Sequence, residues 1–128
     1  MAYRITFNKD HKIIESEIYG EVVVNDVIKM SNDMVDYSLE YNSYLWLYDF
    51  HGTKRINLID IYYMPRQLDE ILKRLGREKH AIKMAIVTNT DVKDFEFVET
   101  VARNVGHKLK IFDDTDAARK WLIGEKDV

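Results

Sequence analysis

The chain has no cysteine, a single proline and 5 glycines among its 128 residues. Without cysteine, disulfides, thiolate zinc sites and cysteine nucleophiles are all excluded, and no redox compartment is marked. No segment is low in complexity. Long apolar runs are missing too: none approaches the ~20 residues needed to span a bilayer, and the Met1-Ala2-Tyr3-Arg4 start lacks the apolar stretch of a secretory signal. A cytoplasmic protein with no membrane insertion is therefore expected. Neither sign of charge dominates. With 19 basic and 22 acidic residues the formal net charge is -3, which gives no global attraction to nucleic acid. What is present, 46% hydrophobic and 32% charged residues, is the balance of an ordinary globular protein with room for one core. One domain over residues 1–128 is expected.

The stretch Tyr44-Leu45-Trp46-Leu47-Tyr48-Asp49-Phe50 organises the rest. Read as a strand, it sends Tyr44, Trp46, Tyr48 and Phe50 to one side and Leu45, Leu47 and Asp49 to the other. A strand apolar on both faces belongs inside a sheet covered by helices, so a layered α/β domain is predicted. Upstream, Tyr3 to Asn8 and Ile13 to Tyr19 both alternate, with Lys9-Asp10-His11 between them as a polar turn; they are predicted to pair as an antiparallel hairpin closed by Gly20. Asn25 then reads as an N-cap for a helix from about Asp26 to Tyr41, whose apolar stripe is Val27, Met30, Met34 and Leu39, widened by Ile28 and Val35.

After Phe50, His51-Gly52-Thr53-Lys54-Arg55 reads as a polar loop at the C-terminal end of the central strand. Asn57 can cap the next helix, with Ile56 stapled on Ile61. Pro65 lies inside a helical pattern that continues through Leu68, Ile71, Leu72 and Leu75, and it predicts a kink; Gly76 reads as the stop. Ala81 to Thr88 is a second apolar strand, parallel to the central one. Asn89-Thr90-Asp91 caps a helix over about Val92 to Val105, and Gly106 ends it. Lys108 to Phe112 is a last short strand. The final helix is capped from Asp113-Asp114-Thr115-Asp116, by Asp113 or Thr115, and turns Ala117, Ala118, Trp121 and Leu122 inward.

Several of these pieces occur together in one known family. The hairpin ending in Tyr19-Gly20, the Leu45-Trp46-Leu47-Tyr48-Asp49 strand, the Met84-Ala85-Ile86-Val87 strand and the closing Phe112-Asp113-Asp114-Thr115-Asp116-Ala117-Ala118-Arg119-Lys120-Trp121-Leu122 resemble the SpoIIAA-like proteins. These are bacterial relatives of the STAS domain, the fold of anti-sigma-factor antagonists. The resemblance implies a mixed sheet with an antiparallel N-terminal hairpin, parallel strands joined by crossover helices, and helices mostly on one side. Phosphorylatable STAS proteins carry a serine motif at the start of the helix after the central strand. Here that region reads Arg55-Ile56-Asn57-Leu58-Ile59-Asp60, without serine or threonine, so the phospho-switch does not carry over.

Chemistry has few places to sit. Asp49 with His51, Thr53 and Lys54 is the main polar cluster; a strand-end aspartate serves as a general base or phosphoacceptor, or equally bonds neighbouring backbone N–H groups. His11, His51, His80 and His107 are scattered without metal-ligand spacing, and no glycine-rich cradle or Gly-x-Ser-x-Gly motif occurs, so no metal and no cofactor are expected. The basic residues from Arg66 to Lys83 are interleaved with Asp69, Glu70 and Glu78, as on a solvated helix face. Tyr62-Tyr63-Met64 beside Pro65 cannot all face one core, so part of it should lie at the surface or line a groove with Trp46.

The expected function is a non-enzymatic bacterial interaction module, regulatory in role, with a protein partner and a homodimeric state. Alternatives are binding of a small apolar or lipid-like ligand, since the fold is similar in architecture to the Sec14 domain, and a hydrolase or phosphoacceptor using Asp49. If the last helix docks through Trp121, the substitution Trp121→Ala should cost roughly 3 to 5 kcal/mol in a denaturant titration, against under ~0.5 kcal/mol for an exposed site.

Overall fold

The structure, a computed structural model, describes residues 1–55, 66–89, 99–100, 103 and 108–124. Five strands form one mixed sheet in the order β1-β2-β3-β4-β5. β1 (Ala2–Asn8) and β2 (Ile13–Glu21) pair antiparallel from Ala2 against Tyr19 to Asn8 against Ile13, and Lys12 in the connecting turn takes a φ of 55°. β3 (Leu45–Arg55), β4 (Lys83–Val87) and β5 (Lys108–Phe112) then add in parallel: Leu45 lies beside Ile13 of β2 and Lys83 of β4, and Lys83 beside Lys108 of β5. The predicted α/β class, hairpin and parallel neighbours are those observed.

Strands that follow one another in sequence and run parallel need crossovers of one hand, which place their helices on one face. α1 (Val24–Tyr41), between β2 and β3, lies on that face, as does α2 (residues 66–72), continued by the 3-10 segment Lys73–Ala81. Gly76, at φ 59°, breaks the helical geometry where a stop was read, but the chain resumes helical turns beyond it. Against this face Trp46, Tyr48 and Phe50 of β3 pack with Ile14, Ile18, Met84 and Ile86 of neighbouring strands, Met30 and Met34 of α1, and Leu68 and Leu72 of α2. α3 (Thr115–Leu122) covers the opposite face, setting Ala118 and Leu122 on Ile13, Leu47, Ala85 and Val87. β3 is thus buried from both sides, as its composition requires.

Four local expectations change. β3 does not end at Phe50; His51 to Arg55 continue it as strand, paired with β2. α1 begins at Val24, before the predicted Asn25 cap; Val23 occupies the cap position without a side-chain hydrogen bond, and Asp26 supplies the acidic residue of the first turn. Leu39, read as part of the apolar stripe, is 56% exposed, because the sheet-facing positions at that end of α1 are Val35 and Ser38. Asp114, not Asp113 or Thr115, caps α3, accepting from the Ala117 N–H at 3.1 Å. The Asn57 cap, the Ile56 staple, the Pro65 kink and the Gly106 stop lie outside the described residues, as does most of the helix read over 92–105, of which residues 99, 100 and 103 are helical.

Trp121 sits at the margin of the second core, half-buried beside Phe112, with the Lys83 ammonium 4.3 Å from its ring centre. Trp46 is wholly enclosed. The two tryptophans should therefore separate in a urea titration: Trp46→Ala should cost about 3 to 5 kcal/mol and Trp121→Ala about half as much.

Candidate functional site

In open α/β sheets ligands gather beyond the carboxyl ends of parallel strands, so the end of β3 is the first place to look. Register against β2 holds from Ile13 and Leu45 to Glu17 and Asp49, then shifts, so that Tyr19 lies beside Gly52. One extra residue has entered β3, which is a β-bulge. The polar residues hold that bulge. Oδ1 of Asp49 accepts the His51 backbone N–H at 2.9 Å, and the Thr53 hydroxyl donates to the Phe50 carbonyl at 2.6 Å. Gly52 is required because a Cβ there would lie 2.7 Å from Cδ1 of Tyr19 and 3.1 Å from the Ile18 carbonyl oxygen.

The bulge aims the His51 ring across the sheet. Nδ1 lies 3.1 Å from Oδ1 of Asp49, and Nε2 lies 3.2 Å from the Asp113 carbonyl oxygen just ahead of α3. Asp49 and His51 are a real pair, with side chains 24% and 38% exposed, but the far nitrogen meets a backbone carbonyl where a catalytic pair would meet a nucleophile. Among the described residues no hydroxyl bonds either ring nitrogen, and no group of three potential metal ligands is found. The arrangement ties the end of β3 to the entry of α3.

Beside it, on the part of the sheet that α3 leaves open, lies a band of charge. Arg4 pairs with Glu17 at 2.9 Å, and the Tyr19 hydroxyl donates to the same carboxylate. The Tyr19 phenol is raised from its ordinary value, first by that hydrogen bond. Further along, Arg119 of α3 grips Glu15 with two nitrogens, Nε at 2.9 Å and Nη2 at 2.8 Å, while Nδ2 of Asn8 donates to the same carboxylate at 3.0 Å. Burial favours the neutral acid of Glu15, but the hydrogen bonds from Arg119 and Asn8 outweigh it and hold the carboxyl below its ordinary value.

A cleft of about 330 Å³ opens at the other end of this face, between the β1–β2 turn and α3, lined by Asp10, His11, Arg119 and Lys120 among others. Sequence reading did not find it, because His11 and Lys120 are brought together only by the docking of α3. Its signs are mixed, and Arg119 is already committed to Glu15 and Asp116.

The residues singled out from sequence therefore separate. Asp49, His51 and Thr53 come together as one bulge. Trp46 does not line a groove: it has no exposed surface, and its Nε1 donates to the Ser38 hydroxyl at 2.8 Å inside the core. Tyr62, Tyr63 and Met64 lie outside the described residues. A model of the SpoIIAA-like family matches residues 13–123, which take in the sheet from β2 onward and α3. No curated protein and no solved structure matches the chain.

The Arg119–Glu15 contact sets a pH dependence. The folded carboxyl lies below the value it has in the unfolded chain, so its contribution to stability is complete above the ordinary carboxylate value near ~4.3 and disappears as the pH falls through the folded value. Glu15→Gln should lower the unfolding midpoint at pH 7, and the variant and the original chain should converge toward acid in thermal melts taken across pH.

Proposed function

Because the chain belongs to the SpoIIAA-like family, we propose that it is a non-enzymatic bacterial regulatory module of STAS type, acting in the cytoplasm through contacts with protein partners and with itself. The observation that chiefly supports this reading is the use made of Asp49 and His51. Both are spent on the β3 bulge and on the Asp113 carbonyl, and no nucleophile is in reach among the described residues. Regulation without a phosphoserine switch is supported by Arg55-Ile56-Asn57-Leu58-Ile59-Asp60, which offers no hydroxyl. Apolar-ligand binding receives less support, since Trp46 is sealed in the core and the described cleft is charged.

The test combines two measurements. Cross-linked capture from the protein's own cells should retain a defined protein partner, and the Asp49→Asn variant should retain it equally. Incubation with acetyl phosphate should label neither protein. Labelling that vanishes in Asp49→Asn, with no partner captured above control, would overturn the proposal in favour of a phosphoacceptor.

A further inference from the structure

The two edges of the sheet are built differently. β5 is blunted in the manner of an edge that must not pair: Lys108 and Lys110 stand exposed, and Oε1 of Glu99 accepts the Ile111 backbone N–H at 2.8 Å. That N–H points away from the sheet, since the adjacent Phe112 carbonyl faces inward to accept from Thr88 at 3.0 Å. β1 has no such protection. Its seven residues, Ala2 to Asn8, contain no lysine and no proline, and its one charge, Arg4, is drawn sideways onto Glu17 of β2. Among the described residues nothing pairs with its outer edge.

We propose that this edge binds a second copy of the chain, β1 against β1 and antiparallel, about a two-fold axis at Ile5, joining two sheets into one. The proposal rests on and deepens the reading of the chain as an interaction module. The occupant is identified by the strand itself, which has the same chemistry read from either end. About Ile5, Tyr3 faces Phe7 of the second copy, Arg4 faces Thr6, and Ala2 faces Asn8. This register alone pairs all seven residues; it sets aromatic against aromatic and keeps the arginines from facing one another. Moving the axis to Arg4 would oppose the two guanidinium groups.

The side-chain layer above the edge fits the same partner. Tyr3, Ile5 and Phe7 are half-buried on the α1 side. Phe7 stacks on Tyr41 with ring centres 4.2 Å apart, Tyr37 lies 5.9 Å from Tyr41, and Tyr41 is 40% exposed. A two-fold contact lays this strip on its own copy, as an isologous interface requires. It also consumes both open edges and leaves only the two blunted β5 edges outside, so the assembly closes at two.

The absence of cysteine makes the register directly measurable, because Arg4→Cys and Thr6→Cys each introduce a lone thiol at an exposed position. Facing residues across an antiparallel pair lie about 4.5 to 5.5 Å apart, within disulfide reach, whereas each introduced thiol and its own copy are diagonal neighbours about 7 to 8 Å apart. Mild oxidation of the two variants mixed should give a disulfide-linked heterodimer in several-fold greater yield than either variant alone. In sedimentation equilibrium the original chain should be dimeric, and Thr6→Lys, which sets a cation opposite Arg4, should raise the dissociation constant about tenfold with its unfolding midpoint retained. A chain that stays monomeric at the highest soluble concentration, or a dimer whose mixed variants cross-link no better than single ones, would overturn the proposal. A monomer that still captures a protein partner would fail this inference alone, and an edge-paired dimer without any partner would fail the functional reading alone.

Discussion

Covering β3 on both faces excludes water from the polar atoms of Trp46 and Tyr48, and the rest of the fold answers that constraint. Trp46 and Tyr48 bring an indole N–H and a phenol hydroxyl into the core, and an unsatisfied group of that kind costs about 1 to 3 kcal/mol. α1 supplies the partners from buried serines: Ser38 accepts from Nε1 of Trp46 at 2.8 Å, and Ser31 lies 3.0 Å from the Tyr48 hydroxyl. The later serine meets the earlier aromatic, so the helix runs against the strand, as a crossover between parallel strands demands. On β2, Ser16 donates to the Leu47 carbonyl at 2.9 Å. Burial pushes the Tyr48 phenol up, so it remains a neutral hydrogen-bonding group in the core.

The second face is covered more thinly and by other means. α3 has eight residues, too few to stand as an isolated helix, and it buries only Ala118 and Leu122 completely. Its hold is completed by polar contacts at intervals along it: the Asp114 cap at its start, the Arg119 fork on Glu15 in the middle, and Lys83 donating to the Trp121 carbonyl near its end. Burial, with Lys108 nearby, lowers the pKa of the Lys83 ammonium, yet the ring and carbonyl of Trp121 give the cation a place to rest. One face of the sheet is therefore held chiefly by area and the other largely by charge, which makes the α3 face the more responsive to acid.

Periodicity made most of the architecture legible. Alternation in β1 and β2, the two-sided apolar strand at Leu45 to Phe50 and the run from Met84 to Val87 each correspond to a strand with the neighbour and the direction expected of it. What pattern could not supply were choices made by tertiary contact. Leu39 lies four residues after Val35 and is exposed, since Ser38 takes the sheet-facing position at that end of α1; Asn25 is a good capping residue that the helix overran. Ser31 and Ser38 look like surface residues until the aromatic atoms they satisfy are placed opposite them. The candidate site was half visible: Asp49, His51 and Thr53 do assemble, but composition cannot distinguish a polar loop from a bulged strand.

That ambiguity has a physical origin. A bulge needs a residue without a side chain where strands crowd, a carboxylate or hydroxyl to take up misaligned backbone groups, and a polar side chain that can lie across the sheet. Asp49, Thr53, Gly52 and His51 meet those needs in turn, and the same residue types would be recruited for proton transfer at a strand end. What separates the two uses is the partner of the last nitrogen in the chain of contacts. Here it is the Asp113 carbonyl, a group that neither attacks nor leaves, so the pair fastens α3 to β3. With its polar strand end engaged in this way, the sheet keeps its backbone groups without a strand partner, among the described residues, elsewhere, along the outer edge of β1.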